Sequence, residues 1–171
     1  MPPTGTYATV DVRRSLSQTL TVKFSFKLTG LGWGEATIAD GQTSAVIPAS
    51  YLTDVLIEVL AAVWSLLEGA LDARCSWELE PGEYRWLFTR DDDQATLRVL
   101  GFPYNSWENG PDEAGKVVFD FRGPLSELAS AFADGVDSVL KEYGEDGYNE
   151  KWHEHAFPSQ ALSDVKALLH P

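Results

Sequence analysis

The chain has 171 residues, a formal net charge of −13, and 44% hydrophobic and 12% aromatic content. This apolar content excludes a disordered chain, and a chain of this length buries about 70% of its unfolded surface without staples. The charge excludes a nucleic-acid face, which needs basic residues to displace counterions, and it disfavours an anionic membrane.

What the charge permits is steering towards a basic protein partner, although an acid-rich surface also serves solubility alone. Cys75 is the single cysteine, so no intrachain disulfide forms, which suits a reducing cytoplasm. Its alternating apolar context marks a buried thiol rather than a nucleophile. The N-terminal run MPPTGTYATV has neither a basic region nor an apolar core, so no signal peptide is expected.

Residues 6–13, TYATVDVR, form the first strand candidate. Thr19–Thr29 is stronger: Leu20, Val22, Phe24, Phe26 and Leu28 alternate with polar residues, the period of a half-buried antiparallel strand. Gly30-Leu31-Gly32 breaks the chain, Trp33–Ala39 resumes it, and Asp40-Gly41 turns it into Thr43–Ile47.

The longest helical period follows, Ser50–Ala70, SYLTDVLIEVLAAVWSLLEGA. Asp54, Glu58, Ser65, Glu68 and Asp72 make one narrow polar stripe, and the other positions are apolar, including Trp64. Ser50 is the expected N-cap and Gly69 the expected end. A segment of about 20 residues is long enough to cross a bilayer, but the carboxylate stripe argues for a core helix instead.

Ala73–Leu79 alternates again and turns at Glu80-Pro81-Gly82-Glu83 into Tyr84–Arg90. With Pro81 and Gly82 at the centre of the turn, Trp77 faces Trp86, Leu79 faces Tyr84 and Glu78 faces Arg85. Asp91-Asp92-Asp93-Gln94 turns into Ala95–Phe102, and residues 103–115, PYNSWENGPDEAG, read as a long surface loop. Lys116–Arg122 is a strand with Val117, Phe119 and Phe121 on one face. Gly123-Pro124 opens a second long helix with one apolar stripe from Leu125 to Tyr143, stopped by Gly144. An acidic, aromatic connector, residues 145–157, precedes a short helix from Ser159 to Leu169.

The pattern predicts one α+β domain over residues 1–171. Its antiparallel sheet has about six to seven strands, with two long helices and a short C-terminal helix packed mainly on one face. We find no internal repeat, and no catalytic residue, metal or cofactor is assigned. His153-Glu154-His155 can present two imidazoles to one side only on an extended chain, because on a helix the rings diverge by about 160°. Capping or surface roles are the simpler reading. Asp91-Asp92-Asp93 lacks the calcium-loop pattern, and Gly30-Leu31-Gly32-Trp33-Gly34 lacks the lysine and the following helix of a phosphate loop. There is no nucleophile elbow around any serine.

Trp64, Trp77 and Trp86 read as core, while Trp107 and Trp152 lie in irregular segments and are better placed for binding. The expected function is a non-enzymatic protein-binding domain meeting a basic partner through Trp107, Glu108, Asp112 and Glu113 of the loop. Trp152, His153 and His155 belong to the same expectation. The alternative is a small-molecule binder or enzyme with a pocket lined by Trp77, Tyr84 and Trp86 between sheet and helices. A third possibility is homo-oligomerisation through an exposed sheet face or edge.

The runs SYLTDVL, WELEPGEYRW and GYNEKWHEHAFPSQAL resemble features of a family of small, uncharacterised actinobacterial proteins, and they span most of the chain from residue 50 onward. The resemblance implies no assigned activity. In size, acidity and lack of a catalytic signature the chain is also similar to immunity proteins of bacterial toxin systems.

Overall fold

The computed structural model describes residues 21–171, so the strand expected over residues 6–13 and the first part of Thr19–Thr29 lie outside the described residues. Within them the chain is α+β with antiparallel sheets, as the alternating segments require. The strands divide, however, into two sheets rather than one of six or seven.

The first sheet is a meander of β1 (Lys23–Gly30), β2 (Trp33–Ala39) and β3 (Ser44–Ser50). Period-two alternation sends Phe24, Phe26, Ala36, Ile38, Ile47 and Ala49 inward, all buried, and leaves Lys23, Ser25 and Lys27 in solvent. The β2–β3 turn is closed by Asp40, whose Oδ1 accepts the amides of Gln42 and Thr43 at 2.9 and 2.8 Å. The Thr43 amide is the main reason its carboxyl is held below the usual range.

Helix α1 (Val55–Leu67) is shorter than the sequence period suggests. Ser50 stays in β3 and its Oγ donates to the Glu78 carbonyl at 2.8 Å, so Asp54 takes the N-cap position instead. Gly69, with φ +108, ends the element as expected. α1 packs against α2, α3 and β4 through Val55, Leu56, Val59, Leu60, Val63 and Leu66, all fully buried. Contrary to the core reading, Trp64 is 42% exposed and Ile57 39%. The two are seven residues apart and fall on one flank, and the contacts to β4, α2 and α3 do not reach round to it.

The second sheet comprises β4 (Asp72–Leu79), β5 (Gly82–Asp91), β6 (Gln94–Phe102) and β7 (Lys116–Pro124), in that order. Two residues, Glu80 and Pro81, form the β4–β5 loop, and the peptide bond between them is cis. The register is therefore two residues from the expected one. Trp77 pairs with Tyr84, Glu78 with Glu83, Ser76 with Arg85, and Cys75 with Trp86. Because the shift is even, every side chain keeps its face, and Trp77 and Trp86 still meet with ring centroids 4.5 Å apart. A bulge at Val118 reverses the sense of β7 below Phe119. Val117 therefore faces outward beside Leu100 and is half exposed, rather than sharing the inner face of Phe119 and Phe121.

Helix α2 (Leu125–Trp152) lies on the inner side of β1. Gly135 permits the close approach, since a Cβ there would lie 2.4 Å from the Phe24 carbonyl oxygen. Gly144 leaves helical geometry (φ +68, ψ 170), as its composition suggests, but the helix resumes and runs to Trp152. The segment expected as a connector is thus mostly helical. Tyr148 and Trp152, one turn apart, both face the core and pack against Phe157 and Phe26 respectively. α3 (Ser159–Leu169) has the expected bounds, and Lys166 ties it to Asp137 of α2. One hydrophobic cluster joins the inner faces of both sheets with all three helices, and Phe132 lies within 6.1 Å, centroid to centroid, of Phe24, Trp86 and Phe88. Among the described residues no helix is long and apolar enough to cross a membrane.

Candidate functional site

The outward face of the second sheet carries polar side chains at alternate positions: Arg74, Ser76 and Glu78 on β4, and Glu83 and Arg85 on β5. Residues 103–115 fold back over this face and cover it. Consequently Leu100 and Phe102, which also point outward, are buried, and Glu83 and Arg85 are only 2% and 9% exposed.

A charged pair at that depth is stable only when its donors and acceptors are matched. Arg85 Nε and Nη2 donate to the two Glu83 carboxylate oxygens at 2.8 and 3.2 Å. Its Nη1 donates to the Gly110 carbonyl and to Asp112 Oδ1, both at 3.0 Å, and its guanidinium lies 4.1 Å from the centre of the Phe102 ring. Glu83 also accepts from Ser76 Oγ and, at 2.8 Å, from Asn109 Nδ2. Arg74 closes the set with two bonds to Asp112 at 3.2 and 3.0 Å. Burial alone would raise the Glu83 carboxyl, but Arg85, Ser76 and Asn109 outweigh it and hold it below its ordinary value. Asp112 is likewise held low, Arg74 and Arg85 overcoming the effect of burial.

This network pins the base of the loop. A 3₁₀ turn at Asp112–Ala114 follows the pinned residue, and Ser106, Asp112 and Glu113 wall a cleft of about 650 Å³ over the sheet. Trp107 stands out from the loop, 78% exposed, and Glu108 and Glu113 are exposed. Of the four loop residues expected to make contact, Asp112 instead serves as the internal latch.

The second expected group is split by the structure. Trp152 is fully buried against Phe26 and Tyr148 and cannot be a surface contact. His153 is exposed, has φ +80, and meets the Tyr51 ring edge-on at 6.0 Å. His155 donates through Nε2 to the Tyr51 carbonyl at 3.0 Å, and its Nδ1 lies 3.8 Å from Asp54. These histidines tie the end of α2 to the segment that opens α1. No group of three or more His, Cys, Asp or Glu side chains among the described residues is arranged to hold a metal ion.

The seam behind the histidines is polar and poorly matched. Asp54 Oδ1, Tyr148 Oη and Trp152 Nε1 are buried with no hydrogen-bond partner among the described residues. Burial raises the Asp54 carboxyl, with His155 partly opposing it; burial and then the Asp54 charge raise the Tyr148 phenol.

Trp77 and Trp86 are fully buried and packed against each other, and Tyr84 is partly buried against the same cluster, so these aromatics belong to the core. Neither the cleft nor a larger trough of about 1000 Å³, between β1, β2 and the Ser126–Ser138 flank of α2, is lined by any of the three. Cys75 is buried and its thiol is pushed well up by burial, as an inert thiol would be. Sequence reasoning missed Arg74, Glu83, Arg85 and Asn109. A signal was present in the outward-facing charges of β4 and β5, but the expected register paired Arg85 with Glu78. No family model, curated protein or solved structure matches the chain.

Proposed function

We propose that the chain is a non-enzymatic protein-binding domain, immunity-like in character, that meets a basic partner through the 103–115 loop. The observation that carries this reading is Trp107, a large aromatic 78% exposed on a loop whose base is held by the Arg85 network. A tryptophan held out by a rigid support loses little freedom on binding, which is the setting in which such residues dominate interface energies. Glu108 follows it in sequence and Glu113 is exposed on the same loop, and the net charge of −13 would steer a basic surface towards it. A cytoplasmic setting is part of the same reading and suits the lone buried thiol of Cys75.

The test is capture from a native lysate by the full chain and by Trp107→Ala, eluting from about 50 to about 500 mM salt, a range over which screening becomes severe. A basic protein retained by the wild type, released by salt, and reduced at least about tenfold with the variant is the expected result. Equal recovery by both proteins, or partners indifferent to salt, would overturn it.

A further inference from the structure

Helix α1 departs from the usual amphipathic pattern on its solvent side. The arc turned away from the core normally carries charge. Here Ile57, Ala61 and Trp64, spaced i, i+4 and i+7, fall within about 60° of one another at the middle of that arc, and all three are exposed. Arg90 extends the row. Its Nη1 donates to the Leu66 carbonyl at 2.6 Å and its backbone amide to the Leu71 carbonyl at 2.8 Å. Leu71, 72% exposed, is thereby held beside the C-terminal end of the helix. A small residue between two large ones leaves a hole for a side chain of a facing helix.

The border of this row is acidic. Residues 50–73 include Asp54, Glu58, Glu68 and Asp72 and no Lys, Arg or His. Glu58, Glu68 and Asp72 are exposed, and among the described residues none has an ion-pair partner. Arg90 directs its guanidinium to the carbonyls of Leu66 and Asp92 instead. A second copy of the chain would bring acid against acid here. A helix whose apolar stripe is flanked by Lys or Arg meets both the row and its border.

We propose that this face of α1 docks a basic amphipathic helix, with Ile57, Ala61 and Trp64 as the seat and Glu58, Glu68 and Asp72 as the charged border. The surface lies on the inner side of the second sheet, opposite the 103–115 loop, and does not depend on the loop reading.

The probe is a fluorescein-labelled peptide of about 18 residues, leucine and lysine in helical period, long enough for five turns. A scrambled peptide of the same composition and a leucine–glutamate peptide of the same period accompany it. By anisotropy, the full chain should bind the periodic leucine–lysine peptide at least about tenfold more tightly than either. Ile57→Gln/Trp64→Gln should abolish the advantage over the scrambled peptide, with circular dichroism and the urea midpoint reporting its fold. Glu58→Gln/Glu68→Gln should narrow the advantage over the leucine–glutamate peptide at least about threefold, and it decides alone if the first pair does not fold. Trp107→Ala should change none of the affinities. Equal binding of periodic and scrambled peptides, or an advantage that survives these α1 variants, overturns the proposal. So does loss of binding in Trp107→Ala, which would put the peptide on the loop. Light scattering that shows a dimer abolished by Ile57→Gln/Trp64→Gln would put a second copy on this face and overturn it as well.

Discussion

The polar network under the 103–115 loop and the polar seam behind His155 bury similar chemistry with opposite bookkeeping. Under the loop, Glu83, Arg85 and Asp112 have their hydrogen-bonding atoms matched by Ser76, Asn109, Arg74 and the Gly110 carbonyl. In the seam, Asp54, Tyr148 and Trp152 each bury a polar atom without a partner among the described residues. An unmatched buried group costs about 1–3 kcal/mol, whereas a matched one is roughly neutral to favourable. The difference is one of purpose. Tyr148 and Trp152 are there for their rings, which fill the space between Phe26 and Phe157, and their polar atoms are a tolerated cost. Glu83 and Arg85 are there for their charges, which bond Asn109, Gly110 and Asp112 of the loop to the outer face of the sheet.

The largest expected effect comes from breaking the matched network. Arg85→Ala leaves Glu83 charged and buried without its main donor, so unfolding by urea should show a loss of about 3–5 kcal/mol, as for other severed buried pairs. Amide exchange over residues 103–115 should rise at the same time. A loss below about 1 kcal/mol would show that the loop holds itself without the arginine.

A smaller effect, opposite in sign at the two places, is expected from pH. Glu83 and Asp112 are lowered in the fold, so their contribution is present above the unfolded carboxylate range, near about 4, and is lost as pH falls through their folded values. Asp54 is raised, so its contribution is fully present below the unfolded value and is lost as pH rises through the folded one. Between about pH 3 and about pH 7, the deficit of Glu83→Gln relative to the wild type should therefore grow with pH. Asp54→Asn should instead gain on the wild type over the same range. Parallel trends in the two variants would contradict the contrast.

The smallest effect should be Tyr148→Phe. Removing an unmatched hydroxyl while keeping the ring should change stability by less than about 1 kcal/mol, in the stabilising direction if at all. A loss above about 2 kcal/mol would mean that the hydroxyl is engaged in the folded protein.

Much of this architecture is legible from local pattern. The alternation in Phe24 and Phe26 placed β1 and its inner face, the stripe from Leu125 to Tyr143 placed the main part of α2, and α3 has the bounds its period suggests. Composition also marked the 103–115 loop and its exposed tryptophan. Other features escaped because alternate pairings or partners fit the same local pattern. The β4–β5 register hangs on which two residues make the turn, the continuation of α2 past Gly144 depends on a cavity that Tyr148 and Trp152 fill, and the exposure of Trp64 depends on how far α3 wraps α1.

Period and composition by themselves determined most element types, their order and, Val117 apart, which face of each strand is apolar, because these follow from the backbone geometry of each short segment. Only the tertiary structure decided that the strands form two sheets, that Trp152 lies inside while Trp64 lies outside, and that Asp112 latches the loop to Arg74 and Arg85. Those outcomes are set by contacts between residues dozens of positions apart, where many pairings satisfy the same local pattern and packing and charge satisfaction select one.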